Sequence, residues 1–307
     1  MNELKKASIQ IQSVIYKNDV DGLIQALDNI ANAIRVDRQS DQVLSWVRVC
    51  YGDASPERVF TPEQVAEITE TYREFFTFHY EFFNKNSGTA AGHNRMARDC
   101  EADYLQIMNP DVVVSPHLFK YMLEPFSVEG LRAGMTEARQ TPVEHHKEYD
   151  VTTGITSWAT TALALFPLHV FQEVGGFDQD TFFMYCDDVD FSWMVRMAGY
   201  QVIYVPSAVA FHAKRLSASG KWQPTAAEVY YSAEAALLMC HKWSNPELLD
   251  KILHSYLDMP DDSPEYKAAQ EYLSRKDAGR LPTPRDSKHK VADFVGYGYG
   301  KSRFEIV

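Results

Sequence analysis

The first half of the chain alternates between two patterns of hydrophobic and polar positions. Apolar runs rich in β-branched and aromatic residues at 8–16, 42–51, 75–83 and 102–114 predict strands. The segments between them, 19–34, 61–75 and 89–100, predict helices, the first of them amphipathic. Asp19 or Asp21 and the Thr61-Pro62-Glu63 run mark two helix starts. Strands that alternate with helices indicate βαβ units and a mainly parallel sheet.

The second half continues with strands and then becomes helical. We expect a strand at 132–138, a polar loop, an extended segment at 151–166 and a helix that starts near 187. An extended pair around Pro206 and a helix at about 225–243 follow. The remainder is helical at first and then rich in proline, glycine and charge. These patterns predict a main domain of residues 1–243 and a helical or irregular C-terminal extension of residues 244–307.

Composition and charge restrict the classes of function. The 307 residues are 45% hydrophobic and carry a formal net charge of -12, so a packed globular protein is expected and a nucleic-acid binder is not. An anionic substrate would need a metal ion or a few placed basic side chains. Four cysteines without a CxxC pair are typical of a reducing cytoplasm. The most apolar run, interrupted by Pro167, is too short to span a bilayer. Peripheral contact with the inner face of the cytoplasmic membrane stays open.

The stretch FFMYCDDVDFSWMVRMAGYQV (182–202) crowds three aspartates into four positions among apolar residues. If a helix begins near 187, Asp187 can be its N-cap and Asp190 can complement the dipole in its first turn. That structural interpretation accounts less well for Asp188. Carboxylates packed so closely in an apolar setting repel one another. We therefore expect a bound cation, a helix N-terminus or a catalytic role to account for them.

Two further features bear polar side chains at predicted strand ends. Asp111, in Asn109-Pro110-Asp111, follows a central strand where α/β sheets bind ligands, and its oxygens suit Mg²⁺ or Mn²⁺. The alternative is an Asx-Pro turn that ends the strand. His212 is the last residue of the apolar run AVAFH. It can be a metal ligand or a structural hydrogen-bonding group. The basic loop after it could close over a diphosphate with Lys214, Arg215 and Lys221.

These motifs together resemble a known family. NPDV after an apolar strand, followed by VGGFDQDTFFMYCDDVDFSWMVRMAGYQVIYVPSAVAFH, is similar to the inverting nucleotide-sugar glycosyltransferases of family 2. The rhamnosyltransferase-like and galactofuranosyltransferase-like bacterial members are the most similar. The resemblance covers roughly residues 8–243. It implies a GT-A fold, Mn²⁺ or Mg²⁺ as cofactor, and transfer from a UDP- or dTDP-sugar to a glycan or lipid-linked glycan hydroxyl in surface polysaccharide synthesis.

The resemblance also implies roles for individual residues. Asp188 matches the general base, Asp187 its neighbour at the acceptor subsite, and Asp111 and His212 the metal ligands. Asn109 replaces the first aspartate of the D-x-D motif, so His212 gains importance. Positions that match the donor and nucleotide side are Tyr16, Asp53, Asn86, Gly88, Asn94 and Asn109. The base contact of Asp53 lies in YGDASP, which departs from the family's usual pattern.

Some expectations rest on the residues alone. Trp158 and Trp193 offer flat faces for an acceptor sugar, with packing in the core as the alternative. Two rival functions remain: another metal-dependent nucleotide-sugar enzyme such as a pyrophosphorylase, and a catalytically silent sugar-nucleotide-binding relative. The absence of a Gly-rich basic loop near the N-terminus disfavours the first, and Asn109 keeps the second open. Homo-oligomerisation is likewise open.

Overall fold

The computed structural model describes residues 6–144, 147–212, 223–296 and 298. Within these ranges nine strands form one sheet in the order β3-β2-β1-β4-β8-β6-β9-β5, with β7 paired to β9. The strands are β1 (Ala7–Ile15), β2 (Leu44–Asp53), β3 (Thr77–Phe82), β4 (Tyr104–Met108), β5 (Val112–Val114), β6 (Ala133–Thr141), β7 (Ile155–Thr156), β8 (Leu163–Pro167) and β9 (Gln201–His212). The sheet is mixed and flanked by helices, which confirms the predicted fold class.

Helices cover the sheet and extend beyond it. They are α1 (Val20–Val36), α2 (Pro62–Tyr72), α3 (Thr89–Ala97), α4 (Leu118–Leu123), α5 (Leu168–Val174), α6 (Asp187–Met197), α7 (Ala226–Lys242), α8 (Pro246–Leu257) and α9 (Pro264–Asp277). The predicted helix starts are confirmed. The Asp19 side chain accepts from Gly22 N at 3.0 Å, and Thr61 forms a capping box with Gln64. None of the helices in the described ranges is long and apolar enough to span a membrane.

The parallel part of the sheet is smaller than the pattern predicts. Strands β1 to β4 pair in parallel, as expected from the βαβ alternation. In the second half β8 runs antiparallel between β4 and β6, so that four pairings between the described strands are parallel and four antiparallel. Because the carboxyl ends of β1 to β4 meet at one edge, the residues that follow these strands lie on the same side of the sheet.

Strand β9 differs from the extended pair predicted around Pro206. It is one strand from Gln201 to His212, and its pairing with β6 shifts register between Val205 and Val209. Proline has no N–H for the sheet, so an irregularity of this kind accommodates it without ending the strand. The continuous strand carries His212 to the edge of the sheet, opposite Val112 of β5.

The C-terminal helices share a core with the acid-bearing helix. Trp193 of α6, Trp243 after α7, Leu248 of α8 and Tyr272 of α9 belong to one buried cluster. The rings of Trp193 and Trp243 meet edge to face at 5.1 Å. Residues after 243 therefore pack against the helix that presents the aspartates, and the division at 243/244 stays a prediction.

Candidate active site

Asp111 and His212 lie side by side at the edge of the sheet. The Nε2 of His212 is 3.3 Å from Asp111 Oδ1 and 3.4 Å from Asn109 Nδ2. The strand pair β5–β9 creates this contact, because it sets His212 directly opposite Val112. The imidazole is 4% exposed and the carboxylate 44%, so the pair opens toward solvent on the aspartate side.

Gln140 of β6 fixes the orientation of His212. Its Oε1 lies 2.8 Å from His212 Nδ1, and both side chains are buried. A carboxamide oxygen only accepts, so Nδ1 donates the proton of this bond, and Nε2 is the ring nitrogen that faces Asp111 and that a cation could bind. A side chain that holds the second nitrogen of a metal-binding histidine in this way is a common feature of metal sites.

The chemistry of these donors fits a small divalent cation. A carboxylate oxygen and an imidazole lone pair that face each other at 3.3 Å are suited to sharing one. In the described residues, no three His, Cys, Asp or Glu side chains form a metal-binding group. Asp111 and His212 could supply two protein ligands, and Mg²⁺ or Mn²⁺ is commonly held by few protein ligands together with substrate phosphates.

The acidic stretch begins α6, but the predicted capping role of Asp187 is wrong. Helix α6 starts at Asp187 itself, and its N-cap is Cys186, which makes no side-chain cap bond. Cys186 and the preceding Tyr185 have φ values of +57° and +70°, a left-handed conformation that costs side-chain-bearing residues free energy. This backbone places the first two aspartates inside the helix's opening turn, where the dipole favours negative charge.

Asp187 is tied to the start of α3 through Thr89. The Thr89 hydroxyl donates to Asp187 Oδ2 at 3.0 Å, and its N–H donates to the Phe183 carbonyl at 3.1 Å. Gly88 precedes it with φ +87°, and a Cβ there would overlap the Phe183 carbonyl oxygen. Close approach of the α3 N-terminus thus requires glycine at 88 and holds the acidic turn against the carboxyl edge of the sheet.

Asp188 is linked to the same edge from its other side. Its carbonyl accepts from Ser192 Oγ at 2.7 Å, and Ser192 Oγ accepts from Ala159 N at 3.0 Å. Three residues on, the Ala162 carbonyl accepts from Asn109 N at 2.9 Å. The loop 157–162 therefore connects the turn at Asn109 with Asp188. Asp188 itself is 8% exposed.

Asp190 has a structural role at the far side of the turn. Lys242 Nζ bridges it to Asp178, with contacts of 2.7 Å and 2.6 Å, and Trp243 Nε1 donates to it at 2.9 Å. Burial raises the pKa of Asp190, and Lys242 opposes this effect. For Asp178, burial is outweighed by the bonds from Lys242 and Thr181, so its pKa is lowered. This network anchors α6 to α7.

Neither tryptophan presents a face to the site. Trp193 is fully buried between Trp243 and Phe294, and Trp158 is 3% exposed. Lys147 lies 4.0 Å from the Trp158 ring centroid and forms a buried ion pair with Glu137. Core packing, the alternative interpretation of both residues, is the arrangement observed.

The two residues predicted to lie near the nucleotide after β1 and β2 differ in exposure to solvent. Tyr16, after β1, is 47% exposed. Asp53, after β2, is fully buried, and its carboxylate accepts from Ser55 N, Val59 N and the Tyr80 hydroxyl. In this structure Asp53 therefore shapes the loop after β2 and presents no surface to a base.

The run NSGTAAGHN also serves the fold. Asn86 is exposed and its Oδ1 accepts from Gly88 N at 3.1 Å. Asn94 donates to the Phe177 carbonyl at 2.8 Å and accepts from Phe177 N at 2.9 Å, which joins α3 to the GGFD turn. Lys214, Arg215 and Lys221 lie outside the described residues.

Sequence reasoning missed three residues that position the site. Gln140, Thr89 and Lys242 each bond to a predicted site residue or to its neighbour in the acidic turn. All three come from elements distant in sequence, and a single polar residue in an amphipathic element gives no signal of its own. The strand alternation around Gln140 is the one hint, since it predicts an inward-facing polar side chain near a strand end.

Comparisons with known proteins find similarity to glycosyltransferases in sequence and in fold. Residues 82–230 match the model of the glycosyltransferase-like family 2. The rhamnosyltransferase WbbL of Escherichia coli (strain K12) is 25% identical over 163 residues, which cover 43% of this chain and 61% of WbbL. The chain thus aligns with about three fifths of that curated relative.

Two solved structures share the fold. GalNAc-T7 with UDP, GalNAc and Mn²⁺ superposes with a TM-score of 0.64 at 11% identity, over 91% of this chain and 56% of that one. The mannosyltransferase PcManGT from Pyrobaculum calidifontis, in complex with GDP-Man and Mn²⁺, has a TM-score of 0.57 at 18% identity, over 89% and 76%. The segment 82–230 is thus similar to glycosyltransferase family 2, and the chain shares the GT-A fold of these two structures.

Proposed function

We propose that the protein is an inverting, metal-dependent glycosyltransferase. It moves a hexosyl or deoxyhexosyl group from a UDP- or dTDP-sugar to a hydroxyl of a glycan or glycolipid acceptor. The observation that carries the proposal is the Asp111–His212 pair, held by Gln140 at the sheet edge that also bears the acidic turn of α6. One side suits a metal-bound diphosphate, and the other provides carboxylates for an acceptor.

On the donor side the protein holds and orients the diphosphate. Asp111 and His212 would bind Mn²⁺ or Mg²⁺, which when bound neutralises charge that develops on the leaving diphosphate. Gln140 keeps His212 in the tautomer that can bind a cation. Asn109, at 3.4 Å from His212 Nε2, lies close enough to contact the same group.

On the acceptor side Asp188 takes up a proton. The acceptor oxygen attacks the anomeric carbon, the bond from that carbon to the phosphate oxygen breaks, and the hydroxyl proton passes to the Asp188 carboxylate. Attack from the face opposite the leaving group inverts the anomeric centre. Thr89 fixes Asp187, and the Lys242 network fixes Asp190, so both hold the turn in which Asp188 stands.

The comparisons favour transfer over the rival functions. The family match covers the segment that includes Asp111, Asp188 and His212, and WbbL is a rhamnosyltransferase. Asn109 in place of an aspartate is the feature that favours a catalytically silent relative, and turnover decides between the two. From the resemblance to bacterial members of the family we place the reaction in surface polysaccharide synthesis, in the cytoplasm at the inner membrane face.

A donor screen tests the proposal. UDP-, dTDP- and GDP-sugars are tested by thermal shift with Mn²⁺ and again with EDTA, and release of nucleoside diphosphate is then measured. We expect one donor to raise the Tm only when the metal is present and to be turned over. The His212→Ala variant should lose both effects, whereas His254→Ala, a change at an exposed histidine of α8, should keep them. Failure of every donor to bind or react would overturn the proposal.

A further inference from the structure

Three aromatic side chains stand beside the acidic turn of α6. The ring of Phe183 stacks on that of Tyr231 of α7, with centroids 4.6 Å apart and planes 24° apart. Tyr230 supports the pair, because its ring meets Tyr231 at 5.1 Å and 79°. All three side chains are half-buried, unlike Trp158 and Trp193. We call Phe183 and Tyr231 the aromatic platform.

The platform adjoins the proposed base through short connections. The carbonyl of Phe183 accepts from Thr89 N at 3.1 Å, while the Thr89 hydroxyl donates to Asp187 at 3.0 Å. Asp188 is the next residue of the same turn. The platform is therefore on the acceptor side of the site, and Tyr16, which follows β1, marks the nucleotide side.

The polar groups at the platform also suit a ligand rich in hydroxyls. Within the described ranges of the chain, the Tyr231 hydroxyl has no hydrogen-bond partner, which leaves one donor and acceptor group for a ligand. Burial and then Glu234 and Glu271 raise the pKa of Tyr230 to about 12, and its ring supports that of Tyr231. Acidic groups lie close to the platform: Glu228 is three residues before Tyr231 on α7, and Asp187 is bonded to Thr89, which also bonds to the Phe183 carbonyl.

We propose that the aromatic platform binds the sugar ring of the acceptor. This assignment rests on the proposed function. A pyranose ring presents an apolar C–H face to an aromatic side chain and hydroxyls at its rim, which match the stacked rings and the Tyr231 hydroxyl. Acidic neighbours favour a neutral sugar over an anionic group such as a nucleotide. Helix α7 thus supplies acceptor recognition next to Asp188 of α6.

The experiment separates acceptor binding from donor chemistry. Tyr231→Leu removes the ring, Tyr231→Phe removes only the hydroxyl, and Tyr121→Leu changes a half-buried tyrosine on α4, which packs against the core of the N-terminal half. Saturation-transfer NMR with octyl glucoside, galactoside, mannoside and N-acetylglucosaminide identifies bound glycosides. Each glycoside that binds is then tested as acceptor, with donor hydrolysis in water measured in parallel.

We expect Tyr231→Leu to raise the acceptor KM about tenfold and Tyr231→Phe to raise it less, while donor KM and donor hydrolysis stay at the parental values. Tyr121→Leu should leave every parameter unchanged. The platform assignment is overturned if the parent binds none of the glycosides, if Tyr231→Leu leaves the acceptor KM unchanged, or if it raises the donor KM instead. Absence of metal-dependent donor turnover in the parent would refute the proposed function itself.

Discussion

The Lys242→Met variant tests how the acid-bearing helix α6 is anchored. Lys242 Nζ lies 2.7 Å from Asp190 and 2.6 Å from Asp178, and Asp190 is 2% exposed. Methionine keeps the apolar stem of the side chain but leaves the Asp190 carboxylate with the Trp243 indole as its remaining side-chain donor among the described residues. Removal of one partner of a buried ion pair costs about 3–5 kcal/mol. Asp178 is more exposed and can regain water, so most of the loss comes from Asp190.

The loss should depend on pH. Burial raises the pKa of Asp190 from its ordinary value and Lys242 opposes this, so the variant's pKa rises further. Above the pKa of the unfolded chain and below that of the folded variant, the folded state binds more protons than the unfolded state. Its free energy of unfolding then falls by about 1.4 kcal/mol per pH unit as pH rises. The variant is thus closest to the parent at acid pH, where Asp190 is protonated in both proteins, and furthest from it at neutral to alkaline pH, where the parent carries the ionised pair.

Urea unfolding, followed by tryptophan fluorescence at acid and at alkaline pH, measures this effect. Lys251→Met, at an exposed lysine of α8, is the matched control and should change stability by less than about 0.5 kcal/mol. Adding Asp190→Asn to Lys242→Met removes the uncompensated charge and should restore much of the loss. A loss below about 1 kcal/mol at the higher pH, or one independent of pH, would refute the role given to this ion pair.

Three other changes follow from the site. Gln140→Leu removes the acceptor of the His212 Nδ1 proton and should weaken Mn²⁺ binding about 10- to 100-fold in calorimetric titrations with nucleoside diphosphate; unchanged affinity would contradict the orienting role. Gly88→Ala should lower both the Tm and transfer, because a Cβ there overlaps Phe183; a parental Tm would argue against this close approach. Asp53→Asn should cost about 1–3 kcal/mol in urea unfolding, whereas a higher donor KM at parental stability would instead support a direct base contact.

The sequence predicts the sheet well where local pattern decides the structure. Alternating apolar runs and helix starts such as Asp19 and Thr61 carry their own signals, and the structure confirms them. The later strands are harder to predict. Strand β8 is inserted between β4 and β6 and runs antiparallel to both. That arrangement depends on contacts between distant segments.

The candidate site is predictable only in part, because its contacts also join segments that are distant in sequence. The motif order correctly brings together Asp111 and His212, whose contact requires the pairing of β5 with β9. The cap expected at Asp187 fails because the left-handed backbone at Cys186 starts the helix differently. Trp193 is buried by residues of the C-terminal segment, and no local pattern reveals such burial.

Transfer by an Asp188→Asn variant tests the central claim most directly. The parent, Asp188→Asn and the surface control Asp261→Asn are compared for nucleotide binding with Mn²⁺ and for kcat, with the donor and acceptor that the two screens select. The account predicts that Asp188→Asn lowers kcat by about 10²- to 10⁴-fold while nucleotide affinity and Tm stay near those of the control. A variant that retains transfer, or that loses nucleotide binding together with it, would contradict the assignment of Asp188 as the base.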